Sequence, residues 1–126
     1  MPTETQEKIW TLHQLNRAFK NLVDTNLGGK RFWVDCEISQ AKESNGHWYI
    51  ELVQADPNDQ SKALAKAKAN LWRNTVQRVD VGVKQVGMKL EDLLKVGNKI
   101  RISCSFNYTV LHGLSLTIHD IDPAAT

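Results

Sequence analysis

Three aromatic side chains occupy positions from which they would share one outer surface of a sheet. Apolar and polar residues alternate in three segments, and the alternation directs Trp33, Tyr49 and Trp72 outward, with His47 beside Tyr49. Outward aromatic rings are suited to stack on flat, unpaired nucleobases. An exposed tryptophan otherwise needs a cover, so the alternative for Trp33 is contact with the helix that precedes its strand.

Basic residues concentrate in the middle of the chain. Between residues 57 and 101, ten Lys or Arg stand against four Asp or Glu, a net charge of +6, whereas the whole chain carries +2. A phosphate-binding side requires such an asymmetry, and an ordinary lysine-rich solvated face is the alternative interpretation. The candidates for phosphate contact near the aromatic residues are Lys66, Lys68, Arg73, Arg101 and His112.

The sequence contains no motif of a catalytic or metal site. Histidines and carboxylates lack metal-ligand spacing, and there is no glycine-rich phosphate loop and no Ser or Cys nucleophile motif. We therefore predict no catalytic residue, no metal and no cofactor. One alternative is a metal held by His47, His112 and Cys104 across a barrel mouth. Cys36 and Cys104 lie inside alternating apolar segments, which predicts buried free thiols.

The elements that must position these side chains follow from their periodicity. Apolar residues at helical spacing predict a helix over residues 9–27, with Thr11 as N-cap and Gly28 and Gly29 as its end. We also predict a positive φ at Gly46 in a hairpin turn, with a hydrogen bond from His47 across it. The remaining predictions are strands over residues 31–39, 47–53, 65–74, 99–108 and 114–121, a polar turn over 41–46, and a short helix over 88–96.

Two stretches of the middle third are less clear. Alanine and lysine after Lys62 favour a helix by propensity, yet Ala65 to Leu71 alternate like a strand. The strand is preferred because a lone helix would leave the neighbouring hairpin without a partner. Residues 75–86 show no clear pattern.

The chain has the size and composition of one folded domain. Its 126 residues are 41% hydrophobic and 24% charged, and its first eight residues look like a flexible polar tail. No apolar run is long enough to span a membrane, and the amino terminus is not a secretory signal, so we expect a cytoplasmic protein without a membrane partner. Five strands with a helix between the third and fourth predict an all-β fold, the five-stranded OB-fold Greek-key barrel.

Several segments, in this order and spacing, resemble the amino-terminal domain of the exodeoxyribonuclease VII large subunit. The resemblance extends from Ile9 to Pro123. The segments that carry it are Ile9-Trp10-Thr11 with Gln14-Leu15-Asn16-Arg17, Trp33 to Ser39, Asn45-Gly46-His47-Trp48-Tyr49, Leu71-Trp72-Arg73, Gly97 to Arg101, and Asp120 to Pro123.

This resemblance implies an OB-fold domain that feeds single-stranded DNA to a separate nuclease domain. The family's large subunit is a hydrolase with a catalytic region and a stalk that gathers small subunits, so these would be partners. We expect the chain to be an excised domain or a stand-alone relative. Leu52-Val53-Gln54 and Leu111-His112-Gly113 depart from the family pattern and remove charges near the groove. The rival function is an interaction module whose aromatic surface docks another protein or a homo-oligomer mate.

Overall fold

The computed structural model describes residues 8–125, and its five strands form a closed barrel. The predicted tail, residues 1–8, lies outside this part except for Lys8. In chain order the elements are α1 (Leu12–Leu27), β1 (Phe32–Ser44), β2 (His47–Asp56), β3 (Asp59–Leu71), α2 (Arg73–Gln85), α3 (Leu90–Leu93), β4 (Lys99–Thr109) and β5 (Gly113–Asp122), with a 3-10 turn at Pro123–Ala125.

The strand order around the barrel is β1-β2-β3-β5-β4, and β4 pairs back onto β1. All pairs are antiparallel except β3 with β5, which run parallel. Helices follow β3 and precede β4. This arrangement confirms the predicted OB-fold barrel.

Strand β1 is long because it serves two neighbours. Its first half pairs with β4, its second half pairs with β2, and the register shifts between Ile38 and Gln40. A bulge of this kind bends a strand and increases its twist. At the bulge the Ser39 hydroxyl donates to the side chain of Glu51, with 2.9 Å between Oγ and Oε1. Because of this bend, β1 can pair with β4 along its first half and with β2 along its second half, which closes the barrel.

The core fills the barrel and continues under two helices. α2 and α3 cover this core with Val79, Val83, Leu90 and Leu93, all buried. The largest fully buried side chains within the strands are Ile38, Leu71, Ile100, Ile102 and Ile118. The core therefore holds β2, β3 and α2 in fixed relation.

Two predicted boundaries between elements are wrong. The turn predicted over residues 41–46 is strand as far as Ser44, and only Asn45 and Gly46 form the turn, with φ of 55° and 84°. Positive φ at both central residues matches a tight hairpin turn, and confirms the prediction for Gly46. The polar residues before Asn45 reflect a solvent-facing strand. The third strand is confirmed but spans Asp59–Leu71.

One predicted helix is confirmed, one is shorter than predicted, and one helix was not predicted. α1 is confirmed, although it begins at Leu12, where Thr11 forms a capping box with Gln14. Residues 75–86, left without a prediction, lie almost entirely in α2, whose valine-rich composition favours strand and hides its helical spacing. The helix predicted over residues 88–96 shortens to Leu90–Leu93.

The two cysteines are free thiols, and Cys104 is buried as predicted. Cys36 is only half-buried, because it lines a surface groove together with Val53 and Ile100, so its predicted burial is wrong. Burial, and secondarily the nearby Cys104, still raises the pKa of the Cys36 thiol to about 11. Cys36 is therefore protonated at neutral pH. None of the helices between residues 8 and 125 has the length and apolarity that a bilayer crossing takes.

Candidate nucleic-acid interface

His47, Tyr49 and Trp72 form one cluster on the outer surface, here called the aromatic patch. The ring centroids of Trp72 lie 5.2 Å from His47 and 6.1 Å from Tyr49, and all three pairs meet edge to face. Tyr49 is 43% exposed and Trp72 is 36% exposed. Each edge-to-face contact covers one face of only one of its two rings, which leaves other ring faces of the exposed Tyr49 and Trp72 to stack on another planar group.

The aromatic patch is positioned by alternation in β2 and by the end of β3. His47 and Tyr49 point outward because Trp48 and Ile50 pack into the core. Trp72 follows the fully buried Leu71 and is directed outward as the first residue past the strand. The core thus fixes where all three rings lie.

His47 also fastens the aromatic patch to the start of α2. Its Nδ1 accepts a hydrogen bond from the Arg73 backbone N–H at 2.9 Å. Trp72 is the N-cap residue and gives no side-chain cap, so His47 satisfies a helix donor that would otherwise lack a protein partner. The hydrogen bond therefore joins His47 to a helix and not across the hairpin turn. An accepting Nδ1 requires a neutral imidazole with its proton on Nε2.

Arg73 packs against the β1–β2 turn. A Cβ placed on Gly46 would lie 2.8 Å from Cδ and 3.0 Å from Cγ of Arg73. The absence of a side chain at Gly46 thus lets the stem of Arg73 lie along the turn. The stem of Arg73 is thereby held at the turn that leads into His47, the first residue of the aromatic patch.

Replacing Gly46 by alanine is expected to destabilise the fold and to weaken nucleic-acid binding. The left-handed backbone alone costs about 1 to 2 kcal/mol with a side chain present. Gly87→Ala is the matched control, because Gly87 has a similar φ of 78° but no atom within 4 Å of the added Cβ. Both variants should lower the free energy of unfolding in urea, but only Gly46→Ala should lower oligonucleotide affinity. Equal affinities in the two variants would exclude a role for the Arg73 contact.

A row of side chains crosses three strands beside the aromatic patch. Lys42 of β1 lies opposite Tyr49 of β2, which in turn lies opposite Asn70 of β3. These residues line a shallow groove of about 540 Å³ together with Lys68 and Glu51. The groove offers cations and hydrogen-bonding groups next to an aromatic ring, although Glu51 adds a negative charge.

Sequence reasoning found Lys68 but missed Lys42 and Asn70 as site residues. Lys42 gives no signal as a site residue because its polar neighbours have the composition of a turn. Asn70 carries a detectable signal, since it alternates outward with Lys68. Cross-strand register, which places both beside Tyr49, is not encoded in either segment alone.

Trp33 does not join the aromatic patch. Its half of β1 pairs with β4, where Trp33 lies opposite Ser103, and the strand reaches β2 only later. The alternative that α1 covers it is not supported either, since Trp33 is 59% exposed. The barrel closure therefore separates Trp33 from Tyr49.

Three other predicted contacts lie away from the aromatic patch. Arg101 makes two hydrogen bonds to Asp35, of 2.7 Å and 3.1 Å, and these hold the pKa of the Asp35 carboxyl below its usual range. The positive charge of Arg101 is thus partly neutralised by Asp35. His112 sits in the exposed β4–β5 connection, where its backbone N–H donates to Thr109. Lys66 is exposed on β3, on the side of the barrel where His112 also lies.

No group of three His, Cys, Asp or Glu within residues 8–125 is arranged to hold a metal. The alternative of a metal on His47, His112 and Cys104 is therefore wrong. His47 is engaged at the start of α2, and Cys104 is buried in the core. The outer surface of β2 and β3 is better equipped for planar and anionic ligands.

One family model agrees with this architecture. A search of curated proteins finds no match. Among solved structures, a small single-stranded DNA binding protein from Mycoplasma pneumoniae is similar, with a TM-score of 0.47, 10% identity, and coverage of 73% of this chain and 90% of that chain. Residues 10–122 match the family model described as an OB-fold nucleic acid binding domain. The chain therefore belongs to the family of OB-fold nucleic acid binding domains.

Proposed function

We propose that this domain binds single-stranded DNA on the outer surface of β2 and β3. The observation that carries the proposal is the aromatic patch, in which Tyr49 and Trp72 are exposed, fixed by the core and in edge-to-face contact. A single strand exposes the faces of its bases, whereas a duplex hides them in the stack. Free ring faces therefore favour a single strand over a duplex.

The cations around the aromatic patch support contact with the DNA backbone. Lys42 and Lys68 flank Tyr49 across the strands, and Arg73 lies at the β1–β2 turn. Each phosphate contact releases counterions, so affinity falls as salt rises. Glu51 in the same groove repels phosphate. We therefore expect modest affinity with a clear salt dependence and little preference for base sequence.

We further propose that the domain presents this strand to a nuclease domain, as the resemblance to the exodeoxyribonuclease VII large subunit implies. The support is the match in the Glu37-Ile38-Ser39 and Gly46-His47 segments, which build the β1 bulge and the tight turn. The nuclease domain and the small subunit would then be partners of this chain. Adding a purified catalytic domain of such an enzyme and measuring degradation of the bound strand tests this role.

The central experiment is a fluorescence-anisotropy titration of a labelled oligonucleotide, single-stranded and duplex, at about 50 and about 200 mM salt. The single strand should bind more tightly, and its affinity should fall with salt. Lys68→Ala should weaken binding and reduce the salt slope by about one. Lys84→Ala is the control, because Lys84 pairs with Asp80 on α2, outside the groove. No binding at low salt, or equal binding of duplex, would overturn the proposal.

A protein-docking role is the second candidate, and the exposed apolar stripe of α1 favours it. Leu12, Leu15, Phe19 and Leu22 are all exposed, and Val23 is the buried residue of the helix. α1 meets the barrel mainly through β4, where the rings of Phe19 and Tyr108 lie 4.9 Å apart. Sedimentation velocity over a range of concentrations tests this candidate, which requires self-association or a protein partner and no DNA binding.

A further inference from the structure

The barrel closes along one seam, between β3 and β5, through very little strand pairing. Within the described residues, β3 pairs with β5 at just two positions, Ala69 with Leu116 and Asn70 with Thr117. The earlier part of β3 pairs with β2 alone, and the start of β5 pairs with β4 alone. A cavity of about 970 Å³ opens there, here called the seam cavity. Its size is in the range of sites that take small organic groups.

The walls of the seam cavity are aromatic and aliphatic. Phe32 and Phe106 meet edge to face with centroids 5.7 Å apart, and Leu114 lies on the adjoining strand. These three side chains point inward by alternation, yet Leu114 is 50% exposed and each phenylalanine 37% exposed. Inward apolar residues with this much exposure line an open cavity and do not complete the core.

The rim of the seam cavity is positively charged. Lys66, Lys68 and His112 border it, and its lining contains no Asp or Glu. Lys66 and Lys68 lie on the same side of β3, about 7 Å apart along the strand. An apolar interior with cations at its rim is complementary to an aromatic ring that carries phosphates on either side. A purely apolar ligand would leave these lysines without a partner.

The seam cavity is continuous with the groove beside the aromatic patch. Lys68 lines both, with Tyr49 and Asn70 on one side and Ala67 and Leu116 on the other. A single strand of DNA that passes Tyr49 therefore reaches the seam cavity by crossing β3 at Lys68.

We infer that the seam cavity is a base-binding subsite, which receives one unstacked nucleobase between Phe106 and Leu114 while Lys66 and Lys68 contact the adjacent phosphates. This inference rests on the proposed function and extends the path of the strand from the outer surface of β2 and β3 to the β3–β5 seam. Base–aromatic stacking of this kind is tolerant of sequence because every base has a π-face.

Leu114→Glu tests the inference, because it places a carboxylate in the seam cavity at a position that is already half exposed. Its matched control is Leu111→Glu, which adds the same charge to the β4–β5 connection at a side chain 84% exposed and outside the cavity lining. Affinity for a single-stranded oligonucleotide should fall about fivefold or more in Leu114→Glu and much less in Leu111→Glu. Circular dichroism melting of both variants confirms that they fold.

An abasic scan identifies the occupant as a base. In an oligonucleotide cut to the measured site size, of the order of 12 nucleotides, one abasic position should weaken binding of the native chain about fivefold or more. In Leu114→Glu the same abasic position should cause no further loss, since the subsite is already blocked. Phe106→Leu, which stays apolar but lacks the ring, is a second variant that should also bind the intact strand less tightly.

The outcomes separate this inference from the proposed function. If Leu114→Glu and Leu111→Glu bind alike while Trp72→Ala binds poorly, the subsite is overturned and the proposed function stands. If the native chain binds no single strand, both fail. If Leu114→Glu leaves DNA binding intact and abolishes a concentration-dependent dimer, a second copy occupies the seam cavity and the inference is overturned.

Discussion

Replacing Trp72 by alanine is expected to lower the affinity for single-stranded DNA about 5- to 150-fold, because one base–aromatic stack contributes about 1 to 3 kcal/mol. The loss has a second source. Trp72 meets both His47 and Tyr49 edge to face, so its removal also frees the two other rings of the aromatic patch. Fluorescence anisotropy at low salt measures the effect. The salt slope should change little, since Trp72 carries no charge.

Trp10→Ala is the control for loss of an exposed tryptophan. Trp10 is exposed, lies before α1 and contacts Lys8, whose Nζ is 4.2 Å from its ring centroid. We expect the affinity of Trp10→Ala for single-stranded DNA to match that of the native chain. Tyr49→Phe, which keeps the ring, should also bind almost normally, whereas Tyr49→Ala should not. Native affinity in Trp72→Ala would remove the aromatic patch from the DNA path.

Replacing Ile102 by alanine is expected to reduce the free energy of unfolding by about 2 to 5 kcal/mol, because it removes buried methylene groups and leaves a cavity. Ile102 is 0% exposed and lies between Val34 of β1 and Ile121 of β5 in the pairing of β4. Ile102 therefore packs next to the β1–β4 pairing that closes the barrel. Urea denaturation followed by circular dichroism gives the change in free energy.

Ile9→Ala is the matched control, with the same atoms removed from a side chain that is 93% exposed. Its free energy of unfolding should stay within about 0.5 kcal/mol of the native value. A loss at Ile102 no larger than this would show that the core relaxes around the missing group. Such a result would contradict the tight packing of β4 between β1 and β5.

The fold was largely predictable because each strand has one face in the core. Alternation placed Ile50, Leu52 and Ile102 inward correctly, and the strand order then indicated the barrel. The predicted element boundaries were wrong where the local composition favours a different structure from the one the chain adopts. Polar residues that end β1 face solvent on a long strand, and valines that favour strands lie in α2. In both places tertiary packing overrides local preference.

The candidate site was only partly predictable, because its members meet through the register of different strands. The sequence placed Tyr49 and Trp72 outward but could not show that Trp33 pairs toward β4 and leaves them. Nor could it show that Arg101 is occupied by Asp35, a partner 66 residues away. The hydrogen bond from Arg73 to His47 is another contact between distant residues that no local pattern encodes.

The aromatic patch has a consequence for the order of folding. All of its residues lie between His47 and Trp72, in one hairpin and the residue that follows it. Closing a short loop costs less chain entropy than joining β1 to β4 or β3 to β5, whose partners are far apart in sequence. We expect the β2–β3 hairpin to form early and the seam to close late. Amide hydrogen exchange should accordingly be slower at Ile50 and Leu52, which lie in the β2–β3 hairpin away from the seam, than at Leu116 in the seam. The stacking surface is then the part of the domain that opens least often, and the seam is the part that opens most readily.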